Sequence, residues 1–307
     1  LQMGSPANKD ILSEAGLLSD VVARAGPSDI MVVIQGEKLV HAQDAARACE
    51  GALAGNQEES RDGEAQDARP PAKSLGLSVS RLKGAGQQVN LVQISVPGPY
   101  AAGEALKAVK QGLDVFMFSD NVPLAQEIAI KREAAARGVI VMGPDCGTAI
   151  ISGVPLGFAN VVRRGSVGLV AASGTGLQEV TTQIDRLGKA FDVGISHAIG
   201  TGGRDVYAEV GGASMLQGIA LLAADPQTKV IAIVSKPPAP SVVDQVLMAL
   251  EASGKPCVVA FLGARPRAVS KQIHVAATLV DCAAQAVVLA AAASGRQRNL
   301  PPWASMT

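Results

Sequence analysis

The residues whose types and spacing suit chemistry begin with GLVAASGTGLQEV at 168–180, where an apolar run meets a small-residue turn and then an amphipathic stretch. A helix opening there points its first N–H groups, which have no intrahelical acceptor, back at Ser173, Gly174, Thr175 and Gly176. Those groups and the positive end of the helix dipole suit an anion, phosphate before any other. Glycine allows close backbone approach and the two hydroxyls are further donors. The stretch lacks the lysine of a P-loop and the full GxGxxG spacing, and a plain helix cap by Ser173 or Thr175 is the competing reading.

Further along, IGTGGRD at 199–205 sets Gly202 and Gly203 as a flexible backbone nest beside Arg204. A guanidinium offers a planar fork for a carboxylate or phosphate and keeps its charge; the alternative is an ion pair with Asp205 or Glu209. Lys236 in SKPP offers a second cation or a plain surface lysine. His197, just ahead of the nest, reads either as a packed histidine or as a site residue. In GPDCGT, Asp145 and Cys146 invite a nucleophile reading, but nothing near Cys146 in sequence lowers a thiol pKa, and a cysteine among apolar strands is usually packing.

These residues need a scaffold, and the pattern supplies one. From Asn90 onward, apolar runs of strand length alternate with helical periodicity, as in NLVQISV, AAGEALKAVKQG, DVFMFS and PLAQEIAIKREAAARG. Such alternation predicts βαβ units with parallel strands, and near-continuous apolar strands predict sheets covered on both faces. The expected fold is α/β: two consecutive doubly wound parallel sheets, Rossmann-like then flavodoxin-like. In such sheets ligands sit beyond the carboxyl ends of strands. The loops VPGPY at 96–100, SDNVP at 119–123 and GPDCGT at 143–148 all fall there, so Pro97, Tyr100, Asp120, Asn121 and Asp145 are expected to line a substrate or CoA-like pocket. Ahead of these units, 8–24 and AQDAARACEGALA read as helices and DIMVVI as a strand, followed by a charged, Pro-containing stretch without apolar periodicity that reads as a flexible linker.

The 307 residues suffice for two such domains, and 48% are hydrophobic. Lysine plus arginine and aspartate plus glutamate number 27 each, so no global field gathers nucleic acid or acidic membrane. Aromatics at 3% leave few platforms for base stacking. Cys49, Cys146, Cys257 and Cys282 form no CxxC pair and have no metal-ligand spacing, which predicts reduced thiols, a cytoplasmic protein and no metal site. Neither a secretion signal nor a membrane span is legible. The chain starts at Leu1 rather than methionine, which is expected of an incomplete or processed chain.

Taken in order, NLVQISVPGPYAAGEALKAVKQGLDVFMFSDNVP, GPDCGTAI, RRGSVGLVAASGTGLQEV, ISHAIGTGGRD and DPQTKVIAIVSKPP resemble the FdrA family, with MGSPANKDILSEAGLL near the start also FdrA-like. The FdrA family is in turn similar to the α subunit of succinyl-CoA synthetase, whose landmarks VPGPYAA, GPDCG and GLVAASGTGLQE resemble. The resemblance implies a small N-terminal segment at 1–55, a linker at 56–76, a CoA-binding-like domain at 77–155 completed by that segment, a ligase-like domain at 156–295 and a tail at 296–307. It also implies that Ser173, Gly174 and Thr175 hold a phosphoryl group, as the matching turn of the synthetases does.

The synthetases' phosphohistidine lies in a GHAGA-type segment, where this chain has ARPRAVSKQIHVAATLV. Of its three histidines, His41 reads as a surface residue and His274 as leading into the last strand and helix, so a phosphohistidine shuttle is not expected. The glycine-rich CoA loop of the synthetases is also missing. FdrA-like proteins are associated with purine and allantoin breakdown, as a subunit of an oxamate carbamoyltransferase interconverting oxalurate plus phosphate with oxamate plus carbamoyl phosphate. The resemblance thus implies phosphate or carbamoyl phosphate and a small carboxylate as ligands, CoA as a further candidate, no certain cofactor, and partner subunits or a homo-oligomer. An ATP- and CoA-dependent acyl-CoA synthetase and a non-catalytic subunit are the alternatives.

Overall fold

The computed structural model describes residues 2–4, 6–26, 29–34, 39–58, 72–264 and 270–295. The chain divides into two units, Leu1–Pro71 and Ala72–Thr307. In the first, β1 (Gln2–Met3) pairs antiparallel with β2 (Ile30–Met31). Three helices accompany them: α1 (Pro6–Glu14), α2 (Asp20–Arg24) and α3 (Leu39–Glu58). The single helix expected over 8–24 is broken because Gly16 takes φ +67° and Ser19 starts a new helix by capping the N–H of Val22. Part of the expected linker is helical: residues 56–58 close α3, and α4 (Leu75–Gly84) begins at residue 75, capped by Ser74. Residues 59–71 of that linker, and the tail 296–307, lie outside the described residues.

The second unit carries two sheets. The smaller is parallel, in the order β3 (Leu91–Ile94), β4 (Asp114–Met117), β5 (Val141–Met142), with α5 (Gly98–Lys110) and α6 (Leu124–Arg137) as crossovers. Ala101, Ala105 and Ala108 of α5 pack with Val115 and Met117 of β4 and Ile130 and Ala134 of α6. A hairpin, β6 (Thr148–Ile151) and β7 (Val154–Gly157), follows. Its two-residue turn has positive φ at both Ser152 and Gly153, the geometry that matches strand twist. The hairpin pairs antiparallel with the larger sheet, so the change of sheet falls between Met142 and Thr148, ahead of residue 156.

The remaining elements are β8 (Arg164–Ala171), α7 (Gly174–Gly188), β9 (Ile195–Gly200), α8 (Ala213–Ala224), β10 (Val230–Ser235), α9 (Pro240–Ala252), β11 (Cys257–Phe261), β12 (Ile273–Val275) and α10 (Leu279–Ala293). The larger sheet runs β12-β11-β10-β8-β9-β6-β7. Counting only its parallel strands from β8, this is the flavodoxin-like order 2-1-3-4-5, whose switch point lies between β8 and β10. Period-two alternation sorts its side chains: Val167, Leu169 and Ala171 join one core with α7 and α10, while Val170, Ile231 and Ile233 join another with α8 and α9. Both faces are covered, which is why these strands read as unbroken apolar runs. On α7 the buried positions Leu177, Val180, Thr181, Ile184 and Gly188 form one stripe. Among the described residues no helix is long and apolar enough to cross a membrane.

Candidate functional site

The turn between β8 and α7 sits at the switch point. Ser173 is extended (φ −151°), and its hydroxyl accepts the N–H of Gly176 at 3.1 Å. It is therefore the helix cap, and the N–H groups of Gly174 and Thr175, the first two helical positions, have no acceptor within the helix. Capping and anion seating are compatible here, because Gly174 and Thr175 are exposed while Gly176 is buried. A Cβ on Gly176 would stand 3.0 Å from Val234 Cγ1, so this glycine serves packing.

These groups open on a cleft of about 920 Å3. Ser173, Gly174 and Thr175 line it together with Gly203 and Arg204 from the loop after β9 and Lys236 from the end of β10. Loops after the smaller sheet's strands bring in Pro97, Asp120 and Asp145. Five other residues singled out in the sequence do not line it. Tyr100 is 70% exposed on the first turn of α5. The carbonyl of Asn121 abuts Gly98, where a Cβ would lie 2.6 Å from it. Gly202 takes φ +80° against the Pro144 carbonyl, Gly176 is covered, and His197 lies elsewhere. The cleft also holds residues that sequence reading missed: Thr148, Gln178, Tyr207 and the edge-to-face pair Phe118 and Phe158, 5.3 Å between centroids. Thr148 ends the GPDCGT motif, and its Oγ1 is 3.6 Å from where a Cβ on Gly174 would stand. Phe158 carried no sequence signal, since it reaches the cleft through the hairpin, where Gln178 Nε2 donates to its carbonyl at 2.6 Å.

Arg204 is held from behind. Its Nη2 lies 2.9 Å from Glu127 Oε2 and donates to the Val122 carbonyl at 2.7 Å. Glu127 pairs in turn with Lys131 (2.9 Å), and Lys131 with Asp205 (2.7 Å). Glu127, Lys131 and Asp205 are almost fully buried, whereas the Arg204 side chain is one-third exposed. Asp205 also accepts the N–H groups of Ser214 and Met215, capping α8. Arg204 thus pairs with Glu127 rather than with Asp205 or Glu209. The chain of charges joins α6, beside the smaller sheet, to the loop after β9 of the larger one.

Cys146 is buried, and desolvation pushes its thiol up to about 11, so it is a packing residue without thiolate character at neutral pH. His274 lies on β12 and His41 is an exposed residue of α3; no histidine lines the cleft. His197, on β9, faces a separate cavity. Its Nδ1 accepts the N–H of Ser152 at 3.2 Å, which leaves the ring proton of the neutral form on Nε2, 3.7 Å from Asp225 Oδ2. Burial holds its pKa below 6.5 despite Asp225. A histidine whose folded pKa is lowered contributes stability above its unfolded value that is lost as pH falls toward the folded value. The wild-type stability should therefore drop relative to His197→Asn as pH falls through and below the ordinary histidine value of about 6.5, read from denaturant midpoints; parallel curves would contradict this.

The sheet and the loops at its switch point belong to a chain with recognisable relatives. The family described as "AllF, heavy metal-associated domain" matches residues 1–70, and that described as "CoA binding domain" matches 162–263, within the larger sheet. The chain is 40% identical over 301 residues to the uncharacterized protein YahF of Escherichia coli, covering 97% of this chain and 55% of YahF. It is 25% identical over 198 residues to the succinate–CoA ligase [ADP-forming] subunit alpha of Staphylococcus epidermidis, 62% of each. The dinucleotide-forming acetyl-coenzyme A synthetase 1 of Ca. Korarchaeum cryptofilum shares the fold, with a TM-score of 0.54 at 17% identity over 74% of this chain and 52% of that one.

Fold and relatives define a protein similar to the α subunit of succinyl-CoA synthetases, with a CoA-binding-type domain at 162–263. The chain belongs to the FdrA-like family, a divergent branch related to the synthetase α subunit. It spans just over half the length of YahF and less than two thirds of the synthetase subunit. The N-terminal match carries a metal in its description, but residues 1–70 contain one cysteine and one histidine, Cys49 and His41. Among the described residues no group of three or more histidine, cysteine or acidic side chains stands close enough to hold a metal ion. The described donor set does not fit one.

Proposed function

We propose that the cleft seats a phosphoryl group on the first N–H groups of α7 and that the chain takes part in acyl or carbamoyl transfer between phosphate and a small carboxylate-bearing acceptor. The observation that supports this most is the convergence of Gly174, Thr175, Arg204 and Lys236 on one cleft with no histidine in it. Transfer then needs no enzyme nucleophile: fixed donors hold the phosphate, cations offset the charge of the oxyanions, and the acceptor is held in line. For oxalurate, a phosphate oxygen attacks the carbamoyl carbon, the bond from that carbon to the oxamate nitrogen breaks, and the nitrogen takes up a proton. Carbamoyl phosphate and oxamate result. Arg204 and Lys236 are the groups suited to the oxamate carboxylate, the α7 terminus to the phosphate.

The second reading, a CoA-dependent ligase, is favoured by the CoA-binding family match at 162–263 and by the synthetase relative. A cleft of about 920 Å3 exceeds the needs of carbamoyl phosphate and oxamate. On either reading we propose a cytoplasmic protein that works with partner subunits or as a homo-oligomer.

Thermal shifts of the chain with phosphate, carbamoyl phosphate, oxamate, CoA and ATP separate the readings. A ligand at about a hundred times its dissociation constant adds roughly 2.7 kcal/mol. Stabilisation by phosphate or carbamoyl phosphate that falls in Thr175→Val is expected. Stabilisation by CoA and ATP alone would move the chain to the ligase reading. Thr175 is the better probe than Ser173, since Ser173→Ala also removes a cap worth about 1 kcal/mol.

A further inference from the structure

A second cavity, about 330 Å3, lies between the two sheets of the Ala72–Thr307 unit, at the amino ends of β3 and β4 and so at the opposite end of those strands from the cleft. Its walls are apolar: Leu91, Ile140, Met142, Ile151, Leu221 and Leu222. Its polar groups are Asn90, Asp114, His197 and Asp225, and among the described residues no lysine or arginine lines it. Asp114 Oδ1 accepts the N–H of Ile140 at 3.0 Å, and among the described residues nothing bonds to its other oxygen. Asp225 is fixed by the N–H groups of Gln227 and Thr228 and by the Thr228 hydroxyl. His197, neutral and anchored to Ser152, adds an N–H on the Asp225 side. Lys255 donates to the carbonyls of Leu222 and Asp225, and Arg164, whose charge reaches His197, donates to Gln227.

We infer that this cavity binds a small organic ammonium, its apolar body against the walls and its amine facing Asp114 and Asp225. The volume suits a molecule on the order of ten heavy atoms, at the small end of ligand pockets. Walls of this kind bind the body whatever its charge, and the carboxyl groups choose among heads. An amine gains an ion pair, an alcohol forfeits it, and a carboxylate meets like charge. The site is independent of the phosphoryl cleft, since the two share no lining residue.

The test is calorimetric titration of the full chain with phenethylamine, phenethyl alcohol and phenylpropionate, with ring signals of His197 followed by NMR. The amine is expected to bind about tenfold or more tightly than either isostere, a difference of about 1.4 kcal/mol, and to shift the His197 signals. In Asp114→Asn that preference should fall to the share that Asp225 alone carries, because the amide keeps an acceptor for Ile140 N–H but loses the charge. An unchanged melting temperature and unchanged phosphate binding at the cleft confirm that the variant is folded. Equal affinity for amine and alcohol, no binding of any of the three, an undiminished preference in Asp114→Asn, or an unmoved His197 would each overturn the inference.

Discussion

Lys131→Met is expected to destabilise the protein by about 3–5 kcal/mol, the usual consequence of removing one partner from a buried ion pair. Lys131 stands between Glu127 at 2.9 Å and Asp205 at 2.7 Å and also donates to the Thr201 carbonyl at 3.1 Å. Without it, two carboxylates that are 1% and 0% exposed face each other's field with a single remaining cation, the partly exposed Arg204. Methionine fills the volume, so the loss reports charge rather than a cavity. Denaturant unfolding would measure it. Adding Glu127→Gln and Asp205→Asn to the same chain should recover part of the loss, because the uncompensated charges are then gone. A change under 1 kcal/mol in the single variant would show that water reaches the cluster.

Arg204→Gln addresses the other end of the same network and is expected to act on function. On the proposed function, transfer activity measured with partner subunits present should fall by about 100- to 1,000-fold, the cost of truncating one partner of a hydrogen-bonded charge pair with the acceptor's carboxylate. Stability should change much less than in Lys131→Met, since the Arg204 side chain is one-third exposed and its removal leaves the Glu127–Lys131–Asp205 chain in place. Kinetics and unfolding measured on one preparation separate the two roles. An active Arg204→Gln would leave Arg204 as the outer member of a structural network and shift the anion site onto the α7 terminus and Lys236.

The two variants also mark where sequence reading runs out. Arg204 was legible as a cation beside a glycine nest, but its partner was not. Glu127 lies 77 residues upstream, on a helix face that reads in sequence as ordinary i, i+4 charge decoration with Lys131. Whether such a pair is solvated or buried depends on which helix packs over it.

What the sequence determined by itself is the local and periodic part of the structure. Unbroken apolar runs required strands covered on both faces, the stripe from Leu177 to Gly188 required an amphipathic helix, and the small residues between them required a tight turn. These are short-range steric and solvation demands, so the α/β class and the alternation of strands and helices follow from neighbours along the chain. The tertiary structure decided what depends on distance across the fold. It set Ser173 and Lys236 side by side at the β8/β10 switch point and returned the hairpin of residues 148–157 to the larger sheet. It also turned His197 away from the cleft and into the second cavity with Asp225. His197 is three residues from the end of its strand, and successive side chains of a strand point to opposite faces. Nearness in sequence to the GTGGRD loop therefore did not bring it to the same site.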